Sequence, residues 1–246
     1  MGYALFPAAL ALVGLFLQAC GDRPPERGDS RVVADTVSFL ALGDSYTIGE
    51  SVDSASRWPV QLAEALTRSG VPVSEPTIVA RTGWTTDELA QGIDEANVSG
   101  SFDLVSLLIG VNNQYRGRDL EEYRTQLRGL VSRAVDFAGG RPENVLVLSI
   151  PDWGVMPFAE GRDRARIGIE IDAFNEVKRE EVEAAGAQYV DITRISRRAA
   201  EDAGLVADDG LHPSGTMYGL WVEAAVPVVE DMLGAGLPPF QHQGPA

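Results

Sequence analysis

The chain has 246 residues, 45% of them hydrophobic, which is length enough for one globular domain with a sizeable core. Its formal net charge of −16 argues against nucleic acid or anionic lipid surfaces as partners. The sequence holds no lysine-bearing phosphate loop, no paired-cysteine zinc pattern, no closely spaced histidines and no internal repeat, so it offers neither a nucleotide cradle nor a recognisable metal site.

The N-terminus stands apart from the rest. Gly2 to Leu17 carries no charge. It has the length of a signal-peptide core and falls short of the roughly 20 apolar residues that a spanning helix needs. Residues 1–19 are therefore expected to target the chain rather than form fold. The segment ends Leu17-Gln18-Ala19-Cys20-Gly21, which resembles the lipobox of bacterial lipoproteins. That resemblance implies export, an acyl chain on Cys20 and attachment to the cell envelope through that lipid alone. An ordinary cleaved signal, giving a periplasmic or secreted protein, and an uncleaved anchor are the alternatives. Cys20 is the only cysteine, so no intrachain disulfide can form. From Gly21 to Asp35 the composition turns to Pro, Gly, Arg and acids without apolar periodicity, so residues 20–35 read as a flexible tether.

Residues 36–234 read as the domain, with 235–246 as a disordered tail. The apolar run Val37 to Leu42 reads as a buried strand and breaks off in Gly43-Asp44-Ser45, which delivers a hydroxyl at the strand's tip. Gly, Asp and Ser also make ordinary turns. Trp58 to Ser69 shows helical spacing and is closed by Gly70. Pro76 to Ala80 reads as a second strand, leading into Gly83-Trp84-Thr85-Thr86, where either threonine is placed to cap the next helix. The third strand, Leu104 to Ile109, is almost continuously apolar and ends Gly110-Val111-Asn112-Asn113. A helix over Leu120 to Ala138 follows. A fourth strand, Asn144 to Ile150, leads to Asp152-Trp153-Gly154, and a long charged helix over about Arg164 to Ala185 leads to a fifth, Gln188 to Ile192.

This alternation predicts an α/β fold, a doubly wound parallel sheet of about five strands with helices on both faces. In such sheets ligands bind beyond the carboxyl ends of the strands. Ser45, Gly83, Asn112 and Trp153 all follow strand ends, so four loops are expected to meet on one edge. Of the two histidines, His242 lies in the tail, which leaves His212, in Asp208-Asp209-Gly210-Leu211-His212-Pro213-Ser214, as the candidate base. A neutral imidazole can take a serine proton while a carboxylate on its other nitrogen sets the tautomer. Asp209, three residues earlier across a glycine, can curl back to do this, and Asp208 is expected to face solvent or cap. A plain helix-entry turn, with Ser214 capping the last helix, is the structural alternative and is compatible with the first.

Four ordered blocks, Gly43-Asp44-Ser45, Gly83, Gly110-x-Asn112 and Asp209-x-x-His212-Pro213, resemble those of the SGNH hydrolases, also called GDSL esterases and lipases, over about Val37 to Leu233. The resemblance implies a flavodoxin-like three-layer α/β/α sandwich, no metal or other cofactor, and a serine esterase working through an acyl-enzyme. It implies Ser45 as nucleophile, His212 as base and Asp209 as its orienter. The implied oxyanion donors are the N–H groups of Ser45 and Gly83 and the Asn112 amide. Tyr46 stands where the namesake motif has leucine, and Asn113 where an aspartate often follows the asparagine. Tyr46, Trp84 and Trp153, with Tyr115 and Phe158, are the aromatics expected around a small ester or acylated-glycan substrate, or else packing at its rim. Phe158 to Arg166 is expected to form a flap. A non-catalytic, membrane-tethered carbohydrate-binding module on the same fold is the alternative function.

Overall fold

The computed structural model describes residues 36–234 together with Met1 and Gly2. The expected signal peptide, Cys20, the tether and the tail of residues 235–246 lie outside the described residues. Five strands, β1 (Phe39–Gly43), β2 (Thr77–Ala80), β3 (Leu104–Leu108), β4 (Val145–Leu148) and β5 (Gln188–Val190), form one sheet in the order β2-β1-β3-β4-β5. Every pairing is parallel. The helices are α1 (Ser45–Ile48), α2 (Trp58–Arg68), α3 (Thr86–Ala96), α4 (Val111–Tyr115), α5 (Leu120–Phe137), α6 (Arg164–Ala185), α7 (Thr193–Ser196) and α8 (Gly215–Met232). Among the described residues no helix is long and apolar enough to cross a membrane.

The burial of each strand follows from its place. The central strands β1, β3 and β4 are buried at every residue, because helices cover both faces, and this is why their sequences are continuously apolar rather than alternating. The edge strands β2 and β5 are only partly buried. On one face α3, α5 and α6 pack in a row, and on the other α2 packs against α8. The strand order reverses direction between β1 and β3, and the loops after these two strands carry Ser45 and Asn112. In an open α/β sheet that reversal opens a crevice where neighbouring loops diverge, which puts a ligand site there.

One feature of α6 was not foreseen from its charged sequence. Lys178, the only lysine of the chain, is fully buried. Its Nζ donates to the carbonyls of Ile109 at 2.8 Å and Leu148 at 3.0 Å, at the carboxyl ends of β3 and β4. Burial pushes its ammonium down to about 7, against the pull of the Asp44 carboxylate nearby. The lysine thereby satisfies two carbonyls that the end of the sheet would otherwise strand in the core.

Candidate active site

Ser45 opens α1 directly after β1, and the turn that presents it depends on a close approach. A Cβ at position 43 would run into the Thr47 side chain and the Leu108 carbonyl, so only glycine lets β1 turn into α1 against β3. Asp44 caps α1, its side chain accepting from the Tyr46 N–H at 3.0 Å. It is wholly buried, and burial pushes its carboxyl up to about 7, opposed by the Tyr46 N–H and the charge of Lys178. Among the described residues the Ser45 side chain makes no hydrogen bond, and neither its backbone N–H nor that of Gly83 finds an acceptor.

His212 reaches the same edge from the loop before α8. An isolated bridge between Val206 and Pro213, with the Ala207 N–H donating to the His212 carbonyl at 2.8 Å, closes this loop, and Ser214 caps α8. Within it, Asp209 Oδ1 accepts from the N–H groups of Leu211 and His212, both at 2.9 Å, and Oδ2 meets His212 Nδ1 at 2.5 Å. Partial burial pushes the Asp209 carboxyl up. Hydrogen bonds from the side chains of Ser51 and His212 and from the two backbone N–H groups outweigh this and hold it well below the usual carboxylate range. An ionised Asp209 can only accept, so Nδ1 carries the proton and the Nε2 lone pair faces the cavity. Asp208 is exposed, as expected.

A cavity of about 190 Å³ collects Ser45, Tyr46, Gly83, Asn112, Trp153 and His212, together with Thr82, Val111, Tyr115, Phe158 and Leu211. Ser45 and His212 both line it without a direct hydrogen bond between them. Such contacts are often long before substrate binds. Gly83 holds φ at 87°, a conformation that favours glycine, and its carbonyl is taken by Arg116 at 2.6 Å. The Asn112 amide donates one N–H to the Trp84 carbonyl at 2.9 Å, which orients the group and leaves its second N–H free. Asn113 faces away, exchanging bonds with Thr86 at the start of α3. The tryptophan beside Gly83 is a correction to the expected aromatic cluster. Thr85 caps α3 in a capping box with Glu88, and the Trp84 ring lies against Gly92 on that helix rather than in the cavity.

The remaining aromatics form the mouth of the cavity. Tyr115 and Phe158 each sit near Trp153, with ring centroids 5.4 and 6.1 Å from it. The Trp153 indole N–H donates to Gln114 at 2.8 Å, and Gln114 in turn donates to Glu170 of α6. Arg162 lies over all three rings at 5.1 to 5.5 Å from their centroids. The stretch expected as a flap is a short 3₁₀ turn over Pro157–Ala159 followed by α6 from Arg164, and the Phe158 N–H donates to the Gly210 carbonyl of the His212 loop at 2.9 Å. Tyr46 is buried beneath the site, edge-on to His212 at 5.7 Å between centroids.

The model of the GDSL-like lipase/acylhydrolase family matches residues 41–220. Among solved structures, TesA is 19% identical with a TM-score of 0.62, over 80% of this chain and 99% of its own. EstA, a psychrotrophic esterase from Pseudoalteromonas sp. in a structure inhibited by monoethylphosphonate, is 16% identical with a TM-score of 0.61, over 80% of this chain and 98% of its own. Axe2, an acetylxylan esterase from Geobacillus stearothermophilus, is 19% identical with a TM-score of 0.58, over 80% of this chain and 94% of its own. At these identities the likeness is one of fold. No curated protein matches the sequence.

Proposed function

The chain belongs to the GDSL-like lipase/acylhydrolase family, hydrolases of the esterase and lipase type, and we propose that it cleaves short-chain carboxylic esters through a Ser45–His212–Asp209 triad and an acyl-enzyme. Ser45 Oγ attacks the ester carbonyl while His212 Nε2 takes its proton. The developing oxyanion is held by the N–H groups of Ser45 and Gly83 and the free amide N–H of Asn112. His212 then returns the proton to the departing alcohol, and a water deprotonated by the same nitrogen releases the acid. The observation that carries this reading is the Asp209–His212 pair, whose tautomer leaves an acceptor nitrogen in the same cavity as a serine free of structural bonds.

The small, aromatic-walled cavity supports acetyl and other short acyl groups over long chains. Hydrolysis of p-nitrophenyl esters from acetyl to long acyl is expected to peak at the short end, and a fluorophosphonate probe is expected to label Ser45 covalently. A folded protein that neither turns over any ester nor takes the probe would sink the reading. Asn112→Ala is expected to lower kcat by about 10²–10³ with a smaller change in KM, because its free N–H is placed for charge that develops only in the transition state.

Export and lipid attachment belong to the same proposal, supported by the uncharged apolar segment and the Cys20 motif. A labelled fatty acid fed to an expressing bacterium is expected to enter the wild-type protein and not Cys20→Ser. Equal labelling, or none in either, would remove the lipoprotein reading.

A further inference from the structure

The loop that follows the nucleophile turn holds a residue that neither motif nor composition marks. Among the described residues only Ser51 and Asn97 have positive φ without being glycine. Asn97 ends α3, where a left-handed asparagine is at home. Ser51, at φ 66°, ends no helix and adopts a left-handed conformation that L-residues disfavour, so its surroundings must hold it there. Two contacts hold it there. Glu50, its neighbour, accepts a hydrogen bond from Thr82 Oγ1 on the turn that carries Gly83. Ser51 Oγ donates at 2.6 Å to Asp209 Oδ2, the same oxygen that meets His212 Nδ1. Two consecutive side chains thus tie the nucleophile turn to two other loops of the site, those of Gly83 and His212.

We infer that Ser51 is a positioning residue of the hydrolytic machinery, its hydroxyl fixing the Asp209 carboxylate against His212 and drawing off part of its charge. The inference rests on the Ser45–His212–Asp209 reading. Among the described residues Ser51 and His212 are the only side chains that donate to Asp209, and no arginine or lysine pairs with it. The other titratable or charged groups around this corner are Asp44 and Tyr46 on the nucleophile turn, Arg57 packed on Gly49, Glu50 beside Ser51, Asp152 near Tyr46, Asp208 beside Asp209, and Tyr218 on α8. None of these supplies a hydrogen bond in place of the hydroxyl.

The direction of the effect follows from charge. A carboxylate that shares its negative charge with a donor attracts the protonated imidazole less strongly. Without Ser51 Oγ the carboxylate keeps its full charge and loses its fixed place against the imidazole, so turnover is expected to fall and to fail sooner on the acid side. The hydrogen bond lies at the surface, so water can replace the donor but not its fixed position, and the effect is moderate rather than abolishing.

The test compares Ser51→Gly and Ser51→Ala with wild type in p-nitrophenyl acetate hydrolysis across pH, with Ser45→Ala beside them. Glycine relieves the backbone and alanine keeps its strain, so a shared change belongs to the hydroxyl and not to folding. Both variants are expected to lose about tenfold in kcat with KM little changed, and to show the acid limb of kcat/KM moved to higher pH. Wild-type pH profiles and rates in both, with Ser45→Ala inactive, would overturn the role of Ser51 and leave the triad standing. A Ser45→Ala protein as active as wild type would remove the triad, and the inference with it.

Discussion

Ser45→Ala is expected to abolish ester hydrolysis, lowering kcat by about 10⁴–10⁶ towards the residual rate that oxyanion donors and binding alone supply. Two features make this substitution clean. Among the described residues the hydroxyl serves no hydrogen bond, so thermal unfolding should match the wild type. Alanine also keeps the N–H of residue 45 and the packing of α1 beneath Gly43, so substrate should still bind, and the loss should sit in kcat rather than KM. Single-turnover assays with enzyme in excess, alongside a melting curve, measure both. Residual activity within tenfold of wild type in a preparation free of other esterases would mean that another group attacks the ester.

The second large effect is expected from Asp209→Asn, with kcat falling by about 10³–10⁴. The reason is specific to how this carboxylate is held. Oδ1 accepts from the Leu211 and His212 N–H groups, so the replacement amide must keep its oxygen there. Its NH₂ then faces His212 Nδ1, which has to accept instead of donate. The proton moves to Nε2, and the nitrogen facing the cavity can no longer take one from Ser45. Near-wild-type activity would show that His212 works without a carboxylate, as a dyad. A further consequence of the depressed carboxyl concerns stability. A group bound more weakly to its proton when folded contributes stability above its ordinary carboxylate range, and that contribution is lost as pH falls through it into stronger acid.

What the sequence revealed of this site divides along physical lines. The central strands were legible because full burial on both faces writes itself as an apolar run, and three of the four loops were legible because each such run ends in a glycine or polar break, the fourth following the shorter edge strand β2 towards Gly83. Asp209 and His212 could be paired because three residues across a glycine close one turn. Ser51 could not, because its role depends on a left-handed backbone and on a contact with a residue 158 positions away. Trp84 was misplaced by its neighbour. It adjoins Gly83 along the chain, but the capping of α3 turns the ring onto the notch at Gly92. Lys178 was hidden among Arg179 and Glu180, and only its phase with Ile171 and Phe174 marks it as inward-facing.

That lysine gives the folded domain an unusual chemical silence. With Lys178 sealed under α6 and no other lysine in the sequence, amine-directed reagents find no side-chain target while the fold is intact. Apart from the terminal amine, acylation can proceed only when α6 lifts from the ends of β3 and β4. Tryptic cleavage on the lysyl side or a mass increment at this one position therefore serves as a clock for opening of the sheet's carboxyl edge, built into the native sequence without an added label.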